Sequence, residues 1–191
     1  MIMGNRSKLI KVAKEKFIAF GSKHTTMDEI AELLGISKKT IYACFSSKEE
    51  LIIESIKELI NEFKIDTEPI LKSDKTALNK VIEIYKVIFK YVEKFKPSFI
   101  FGLKKYYPNA YDAYKEITTD VVSTDIMNLL EEAKEQGEIR PDVDLKLFSK
   151  LYLSGLESRL FEADNLFDNY SKEILLEYMI INNLNSLKPA K

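Results

Sequence analysis

The sequence is poor in the residues on which most metal, redox and catalytic sites depend. Its 191 residues include one cysteine, Cys44, one histidine, His24, and no tryptophan. A single cysteine excludes a disulfide within the chain and fits a reducing compartment. One histidine and one cysteine leave a metal site short of its usual ligands, and the sequence has no glycine-rich phosphate loop, nucleophile elbow or HExxH motif. We therefore expect neither an enzyme nor a metal or cofactor site.

Long hydrophobic runs are absent as well. Stretches such as Phe99 to Phe101 are far shorter than the ~20 apolar residues of a membrane-spanning helix, and no secretory segment opens the sequence. With 46% hydrophobic and 31% charged residues, the composition is that of a globular protein. These observations predict a cytoplasmic protein that has no membrane partner.

The chain as a whole has almost no net charge, but its first 50 residues carry a net positive charge. The net charge is −1, yet residues 1–50 hold nine lysines and arginines against six acidic residues. A basic segment on an acidic body is typical of a protein that presents one end to a polyanion. The excess is modest, and a merely solvated face is the alternative interpretation.

Residues 25–51 carry the strongest local signals, with the sequence TTMDEIAELLGISKKTIYACFSSKEEL. Thr26 and Glu29 form a Thr-x-x-Glu capping box, which predicts the start of a helix. Gly35 predicts the end of that helix, because glycine adopts the left-handed conformation that follows many helices. Ser37 is then the predicted N-cap of a second, short helix.

The second helix is predicted to have one buried and one exposed side. Ile41 and Phe45 lie four residues apart and face the core together. Lys38, Lys39 and Thr40 are left on the exposed side. Two short helices joined by a tight turn, the second with a basic exposed start, predict a helix-turn-helix whose second helix enters the major groove of DNA.

Amphipathic helices are predicted on both sides of this motif. Apolar residues at helical spacing predict one helix from about Asn5 to Phe20. Ser47 opens a second Ser-x-x-Glu capping box, and the helix that follows continues through Phe63. A change of composition around residues 66–74 places a domain boundary near Ile65.

The pattern from Gly21 to Leu51 resembles the N-terminal domain of the TetR family of bacterial transcriptional regulators. The resemblance rests on residue types at the family's spacing: Gly21, Thr25, Thr26, Ile30, Ala31, Gly35, Ile36, Ser37, Tyr42, Phe45 and Lys48. It implies a three-helix DNA-binding domain over residues 1–65, with the helix-turn-helix at about residues 26–45. It also implies a helical effector-binding and dimerisation domain over residues 66–191.

The residues expected to contact DNA all lie in this motif or just after it. Hydroxyls, helix N-terminal amides and lysines bind phosphates, and lysines also bind guanine edges. Tyr42 and Lys48 resemble the family's phosphate contacts, whereas Cys44 stands where family members usually carry His or Tyr, so that contact is lost or shifted. The expected DNA-binding set is Thr26, Ser37, Lys38, Lys39, Thr40, Tyr42, Cys44 and Lys48. For the lysines the alternative is a solvated turn, and for Thr26 and Ser47 a helix cap without a ligand.

Every later segment is predicted to be helical, and no stretch alternates as a strand would. The predicted helices cover residues 75–95, Ser98 to Lys105, Asn109 to Gln136, Leu145 to Glu162 and Lys172 to Leu187. The fold class is therefore all-α with about nine helices, the number that the TetR resemblance implies.

Phenylalanine and tyrosine are concentrated between residues 85 and 114, where the family's pocket-forming helices lie. Such residues are individually more often plain core, but tyrosines also supply apolar pocket walls with polar tips. We expect an apolar or aromatic effector to contact Tyr85, Phe89, Phe99, Tyr107, Tyr111, Tyr114 and Tyr152.

The last two predicted helices are apolar around more of their circumference than one core contact requires. In the TetR family these helices pair with their copies in a four-helix dimer interface. We expect homodimerisation through Leu151, Gly155, Leu156, Ile174, Tyr178 and Ile181. Burial of these residues within one subunit is the alternative.

The predicted function is that of a ligand-responsive DNA-binding regulator, and by family habit a repressor. A small molecule bound among the body helices would release it from operator DNA. The alternative is a helical ligand-binding or interaction protein that has lost DNA binding, because the motif carries few positive charges and has Cys44 at an unusual position. A steep salt dependence of DNA binding distinguishes the two.

Overall fold

The structure is a computed structural model of the chain, and it describes residues 2–118, 124–161 and 164–190. Its regular elements in these ranges are all helices, which confirms the all-α class. In chain order the α-helices are α1 (Ile2–Phe20), α2 (Met27–Leu34), α3 (Lys38–Tyr42), α4 (Lys48–Leu71), α5 (Ala77–Val92), α6 (Pro97–Tyr106), α7 (Pro108–Thr118), α8 (Thr124–Glu135), α9 (Leu145–Phe148), α10 (Leu156–Phe161), α11 (Lys172–Leu176) and α12 (Asn182–Asn185).

Two π-helical turns modify the C-terminal helices. Glu177–Ile181 joins α11 to α12, so the predicted last helix is present with a wider turn in its middle. Ser149–Leu153 follows α9, but the single helix predicted from Leu145 to Glu162 is wrong. Ser154 is extended, with ψ of 151°, and Gly155 has a φ of +69° before α10 begins. Glycine is the residue that adopts this left-handed conformation without steric cost.

Two other helices differ from the prediction or extend beyond it. α4 continues through the predicted boundary near Ile65 to Leu71, with Pro69 inside its last turn. Proline has no N–H to donate to the carbonyl of Ile65, so one helical hydrogen bond is missing near the end of α4. In the helix predicted from Asn109 to Gln136, residues 119–123 lie outside the described part of the chain, and α7 and α8 cover most of the rest.

The chain divides into two compact units. The first comprises residues 1–62 and 94–118, so α6 and α7 belong with the N-terminal helices. The second comprises residues 63–93 and 119–191. The division predicted from the sequence, at residue 65, remains a prediction.

Each unit has its own apolar core. In the first unit α1 packs on α2 and α6, and α2 packs on α3. Its fully buried residues include Leu9, Phe17, Ile30, Ile41, Phe45, Leu51, Ile52 and Leu103. In the second unit α5 packs on α8 and α11. Its core includes Leu78, Val81, Phe89, Leu130, Leu160, Ile180 and Leu184. None of the described helices is both long and apolar enough to cross a membrane.

Candidate nucleic-acid interface

Local hydrogen bonds define where α2 begins and where it ends. The N–H of Glu29 donates to Thr26 Oγ1 at 3.2 Å, and the N–H of Thr26 donates to the Glu29 carboxylate at 2.6 Å. The predicted capping box is therefore present, and the Thr26 N–H is the main reason why the pKa of Glu29 is lowered. At the other end Gly35 has a φ of +63°, and the N–H of Ile36 donates to the carbonyl of Ala31 at 3.0 Å. Local bonding thus sets the turn that orients α3.

One apolar residue of α2 lies outside its buried side. Leu33 is exposed, whereas Ile30 and Ala31 are buried. Leu33 lines a surface groove of about 430 Å³ together with Phe20 and Lys16. The buried residues of this helix are Met27, Ile30 and Ala31, and Leu33 lies to one side of the stripe that they form.

α3 is held by its buried side and by a cap. Ile41 and Phe45 are 0% and 1% exposed, as predicted. Ser37 Oγ accepts a hydrogen bond from the N–H of Thr40 at 3.1 Å. The side chains left exposed on this short helix are Lys38, Lys39, Thr40 and Tyr42. They form a polar, basic surface on a rigid support, which suits a helix that enters a DNA groove.

The two lysines of this surface have different surroundings. Lys38 Nζ lies 2.8 Å from Asp28 Oδ2, and this hydrogen-bonded pair raises the pKa of Lys38. Lys39 forms no ion pair with any described residue. Sequence analysis missed Asp28 because it lies ten residues from Lys38 on another helix, where an acidic first-turn residue has the ordinary role of favouring the helix N-terminus.

The remaining predicted contacts lie around the start of α4. Lys48 is half-buried, and its Nζ lies 3.5 Å from the carbonyl oxygen of Lys23. Cys44 is also half-buried and is a free thiol. The predicted capping box at Ser47 is formed only in part.

The cap of α4 involves two serines. Ser47 Oγ accepts from the N–H of Glu50 at 3.1 Å, as the Ser-x-x-Glu pattern predicts. The Glu50 carboxylate returns to the N–H and hydroxyl of Ser46, at 2.6 Å each, instead of to Ser47. These bonds, the hydroxyl of Ser46 first, lower the pKa of Glu50.

Residues at the starts of α6 and α7 contact α1, the turn after it and the first turn of α4, which sequence analysis did not predict. The N–H of Lys96 donates to the carbonyl of Ile18 at 3.1 Å. At Gly21 an added Cβ would lie 2.7 Å from Ser98 Oγ, so glycine permits a close approach of α1 to α6. The Glu49 carboxylate accepts hydrogen bonds from the N–H groups of Asn109 and Ala110, at 3.1 and 3.3 Å. These pairs are about 60 to 80 residues apart in sequence, so no local pattern indicates them.

The predicted effector residues are divided between the two units. Tyr85, Phe89 and Tyr152 belong to the second unit, and Phe99, Tyr107, Tyr111 and Tyr114 belong to the first. Tyr85, Phe89, Phe99 and Tyr114 are buried, Tyr107 and Tyr111 are half-buried and Tyr152 is exposed. Burial raises the pKa of Tyr85, and the charge of Arg159 opposes that shift.

The predicted dimerisation residues are mostly exposed. Leu151 is 57%, Ile174 is 48% and Tyr178 is 73% exposed. Gly155 is also exposed, Ile181 is half-buried and Leu156 is buried. Leu147 and Tyr170 add to the exposed apolar side chains of the second unit.

Comparison with known proteins extends these observations. Residues 9–54 match the family model described as bacterial regulatory proteins, tetR family. The chain is 28% identical to the HTH-type transcriptional regulator YhgD of Bacillus subtilis (strain 168), with 95% of this chain and 98% of YhgD covered. It is also 28% identical to the regulator YvaF of the same organism, with 78% of this chain and 76% of YvaF covered.

Solved structures agree at the level of the fold. A transcriptional regulator of the TetR/AcrR family from Thermobifida fusca YX-ER1 superposes with a TM-score of 0.74 at 19% identity, covering 97% of this chain and 100% of that one. The matched segment contains the capped α2, the turn at Gly35 and the exposed surface of α3 described above. The N-terminal part of the chain therefore matches the tetR family of bacterial regulatory proteins, and the relatives that cover most of the chain are HTH-type transcriptional regulators.

Proposed function

We propose that the chain is a homodimeric repressor that is released from its operator by an apolar or aromatic small molecule. The observation that carries this proposal is the basic, exposed surface of α3, supported by the buried Ile41 and Phe45 and by caps on both sides of the turn. In a dimer, two such helices enter successive major grooves when they lie about 34 Å apart. The proposed DNA contacts are the eight residues from Thr26 to Lys48 named above.

The exposed apolar side chains of the second unit support dimerisation. Leu151, Ile174 and Tyr178 are each about half exposed or more, although large apolar side chains are usually buried. A second copy of the same surface would remove them from water, as in a self-complementary two-fold interface. We assign dimerisation and effector binding to residues 66–191, and DNA binding to residues 1–65.

The aromatic residues of the body support the choice of effector. Phe89 and Phe167 pack edge to face, with ring centroids 6.3 Å apart, and Tyr85 is buried on the same helix as Phe89. Apolar walls with a few polar groups are typical of small-molecule sites. An effector that favours the DNA-incompetent form would weaken operator binding by a reciprocal coupling of roughly 1–3 kcal/mol.

Fluorescence anisotropy tests the proposal, with the full-length protein, DNA from immediately upstream of its own gene and a scrambled duplex. We expect preference for the upstream DNA, and a log–log salt slope of about −0.9 for each phosphate neutralised. Lys39→Ala should weaken specific binding by roughly 1–3 kcal/mol if the lysine contacts a base edge.

Lys146→Ala is the matched control, because Lys146 is an exposed lysine of the second unit. Equal affinity for the scrambled duplex, followed by failure to enrich any sequence from random DNA, would contradict the proposal.

A further inference from the structure

Three lysines and two tyrosines meet on one surface of the first unit. They come from the turn after α1, the start of α4 and the junction of α6 with α7. We call them the lysine–tyrosine cluster: Lys23, Lys48, Lys105, Tyr106 and Tyr107. Only Lys48 was among the predicted DNA contacts.

Short distances connect the members of the cluster. Lys23 Nζ donates to Tyr106 Oη at 3.1 Å, and Lys105 Nζ lies 5.5 Å from the centroid of the Tyr106 ring. Lys48 Nζ lies 5.3 Å from the centroid of the Tyr107 ring and 3.5 Å from the carbonyl oxygen of Lys23. Contacts with the two tyrosines and with the backbone of Lys23 thus connect the three lysines.

Within the described part of the chain, no carboxylate forms an ion pair with the lysines of the cluster. Elsewhere lysines form ion pairs, for example Lys38 with Asp28 and Lys90 with Asp66, but none of the three cluster lysines does. Lys23 and Lys105 also lower the pKa of Tyr106, the hydrogen bond from Lys23 being the larger cause. Lys48 contributes to the lowered pKa of Glu29, so one carboxylate lies within electrostatic reach of the cluster, although not at ion-pair distance. Like charges gathered without ion-paired counter-charges create a positive potential that attracts a polyanion.

The position of the cluster indicates which polyanion. Lys48 opens α4 directly after the helix-turn-helix, and it is a proposed phosphate contact. The other members extend the positive surface from Lys48 to the end of α6. Duplex DNA offers one phosphate charge per ~3.4 Å of each strand, so a row of lysines can follow a strand.

We propose that the lysine–tyrosine cluster binds backbone phosphates beyond the base pairs that α3 contacts, so that the α6–α7 junction is a second DNA contact of each subunit. This inference rests on the proposed DNA-binding function. Phosphate contacts carry no sequence information by themselves. The cluster would therefore add affinity and fix the position of the protein on DNA without changing the sequence it prefers.

The test compares Lys105→Ala and Tyr106→Phe with the unchanged protein, using an operator selected from random DNA. Each duplex is made in a short form and in a form with added flanking base pairs. We expect the unchanged protein to gain affinity from the flanks and Lys105→Ala to lose most of that gain. The salt slope should fall by about 1 for each subunit, and the loss should be the same for selected and scrambled duplexes. Tyr106→Phe should act in the same direction, because it removes the hydroxyl that holds Lys23.

Two further variants separate charge from fold. Lys105→Arg keeps the positive charge and should keep the flank effect. Lys115→Ala is the matched control, since Lys115 lies 5.8 Å from the Tyr111 ring on α7, outside the cluster. Unchanged affinity and salt slope in Lys105→Ala, while the unchanged protein binds DNA, would overturn this inference alone. No DNA binding by the unchanged protein would overturn the proposed function with it.

Discussion

Asp28 and Lys38 form a contact that bears directly on DNA binding. Lys38 can reach DNA only after its ammonium group leaves the Asp28 carboxylate, 2.8 Å away. Asp28 also places a negative charge beside the surface that would face phosphates. An exposed pair of this kind contributes little to stability, so its main effect would be on the binding of a polyanion.

Asp28→Asn should therefore strengthen DNA binding. The substitution removes a repulsive charge and releases Lys38, while the fold has little to lose. We expect tighter binding to both specific and scrambled duplexes, by roughly 1 kcal/mol or less for such a surface charge, measured by anisotropy at low salt. Asp74→Asn, an equal change of charge at an exposed residue of the second unit, is the control. Equal gains in both variants would show that only net charge matters.

The ion pairs of Glu54 make the stability of the fold depend on pH. Its carboxylate accepts from Lys57 at 2.9 Å and from Arg6 at 2.8 Å, and these contacts, that of Lys57 first, lower its pKa. A carboxyl whose pKa is lower in the folded state stabilises the fold above its unfolded pKa. That stability is lost as the pH falls through the folded value.

Glu54→Gln should accordingly cost about 0.2–1 kcal/mol at pH 7, the range for partly exposed ion pairs, and less as the pH falls through the lowered pKa of Glu54. Urea unfolding at a series of pH values measures the difference. Glu58→Gln, on the same helix, makes the same change of charge, and no described residue forms an ion pair with Glu58. A Glu54→Gln variant with the same pH dependence as the unchanged protein would contradict the assignment.

At the scale of the helices, the turns at Gly21 and Gly35 separate the cost of backbone strain from the cost of a steric clash. Both glycines have positive φ, +89° and +63°. An alanine Cβ at Gly35 would meet nothing within 4 Å, whereas at Gly21 it would lie 2.7 Å from Ser98 Oγ. Gly35→Ala thus changes backbone conformation alone, and Gly21→Ala adds a clash.

We expect Gly35→Ala to lower the free energy of unfolding by about 1–2 kcal/mol, the cost of a left-handed non-glycine residue. Gly21→Ala should lower it by more. Gly35→Asn should recover part of the loss, since asparagine tolerates this conformation. Chemical unfolding measures all three, and equal losses at the two positions would contradict the role given to Ser98.

The elements differ in how well the sequence predicts them. The caps at Thr26 and Ser37 and the turn at Gly35 are set by residues a few positions apart, so a local pattern suffices. The contacts of α6 and α7 with α1 and α4 depend on pairs such as Glu49 and Asn109, 60 residues apart. The break at Gly155 is not evident from the sequence, because a glycine within an apolar helix pattern does not reveal its φ. In the site, periodicity predicts the polar surface of α3. It does not predict the ion pair of Lys38 with Asp28, which lies on another helix.

At the scale of the whole molecule, the exposed apolar residues of the second unit predict its assembly. Ile174→Glu and Tyr178→Glu place charges on that surface, and a charge buried without a partner at an interface costs several kcal/mol. Sedimentation at micromolar concentration should show a dimer for the unchanged protein and a monomer for these variants. The variants that lose dimerisation should also lose DNA affinity, because a single subunit contacts only one half-site.

Ile65→Glu is the matched control, since Ile65 is an exposed isoleucine that belongs to α4 and not to the C-terminal helices. It should remain dimeric. A dimer that survives both Ile174→Glu and Tyr178→Glu, with circular dichroism unchanged, would place the interface elsewhere.

The composition of the first unit has a practical consequence for chimeric regulators. Its core is completed by residues 94–118, which return after the chain has left for α5. A recombinant fragment cut near residue 65 would expose the faces of α1 and α4 that α6 and α7 cover, together with the carboxylate of Glu49. A graft that moves the specificity of this protein onto another sensor should therefore transfer two pieces of sequence, residues 1–62 and residues 94–118, as one transplant.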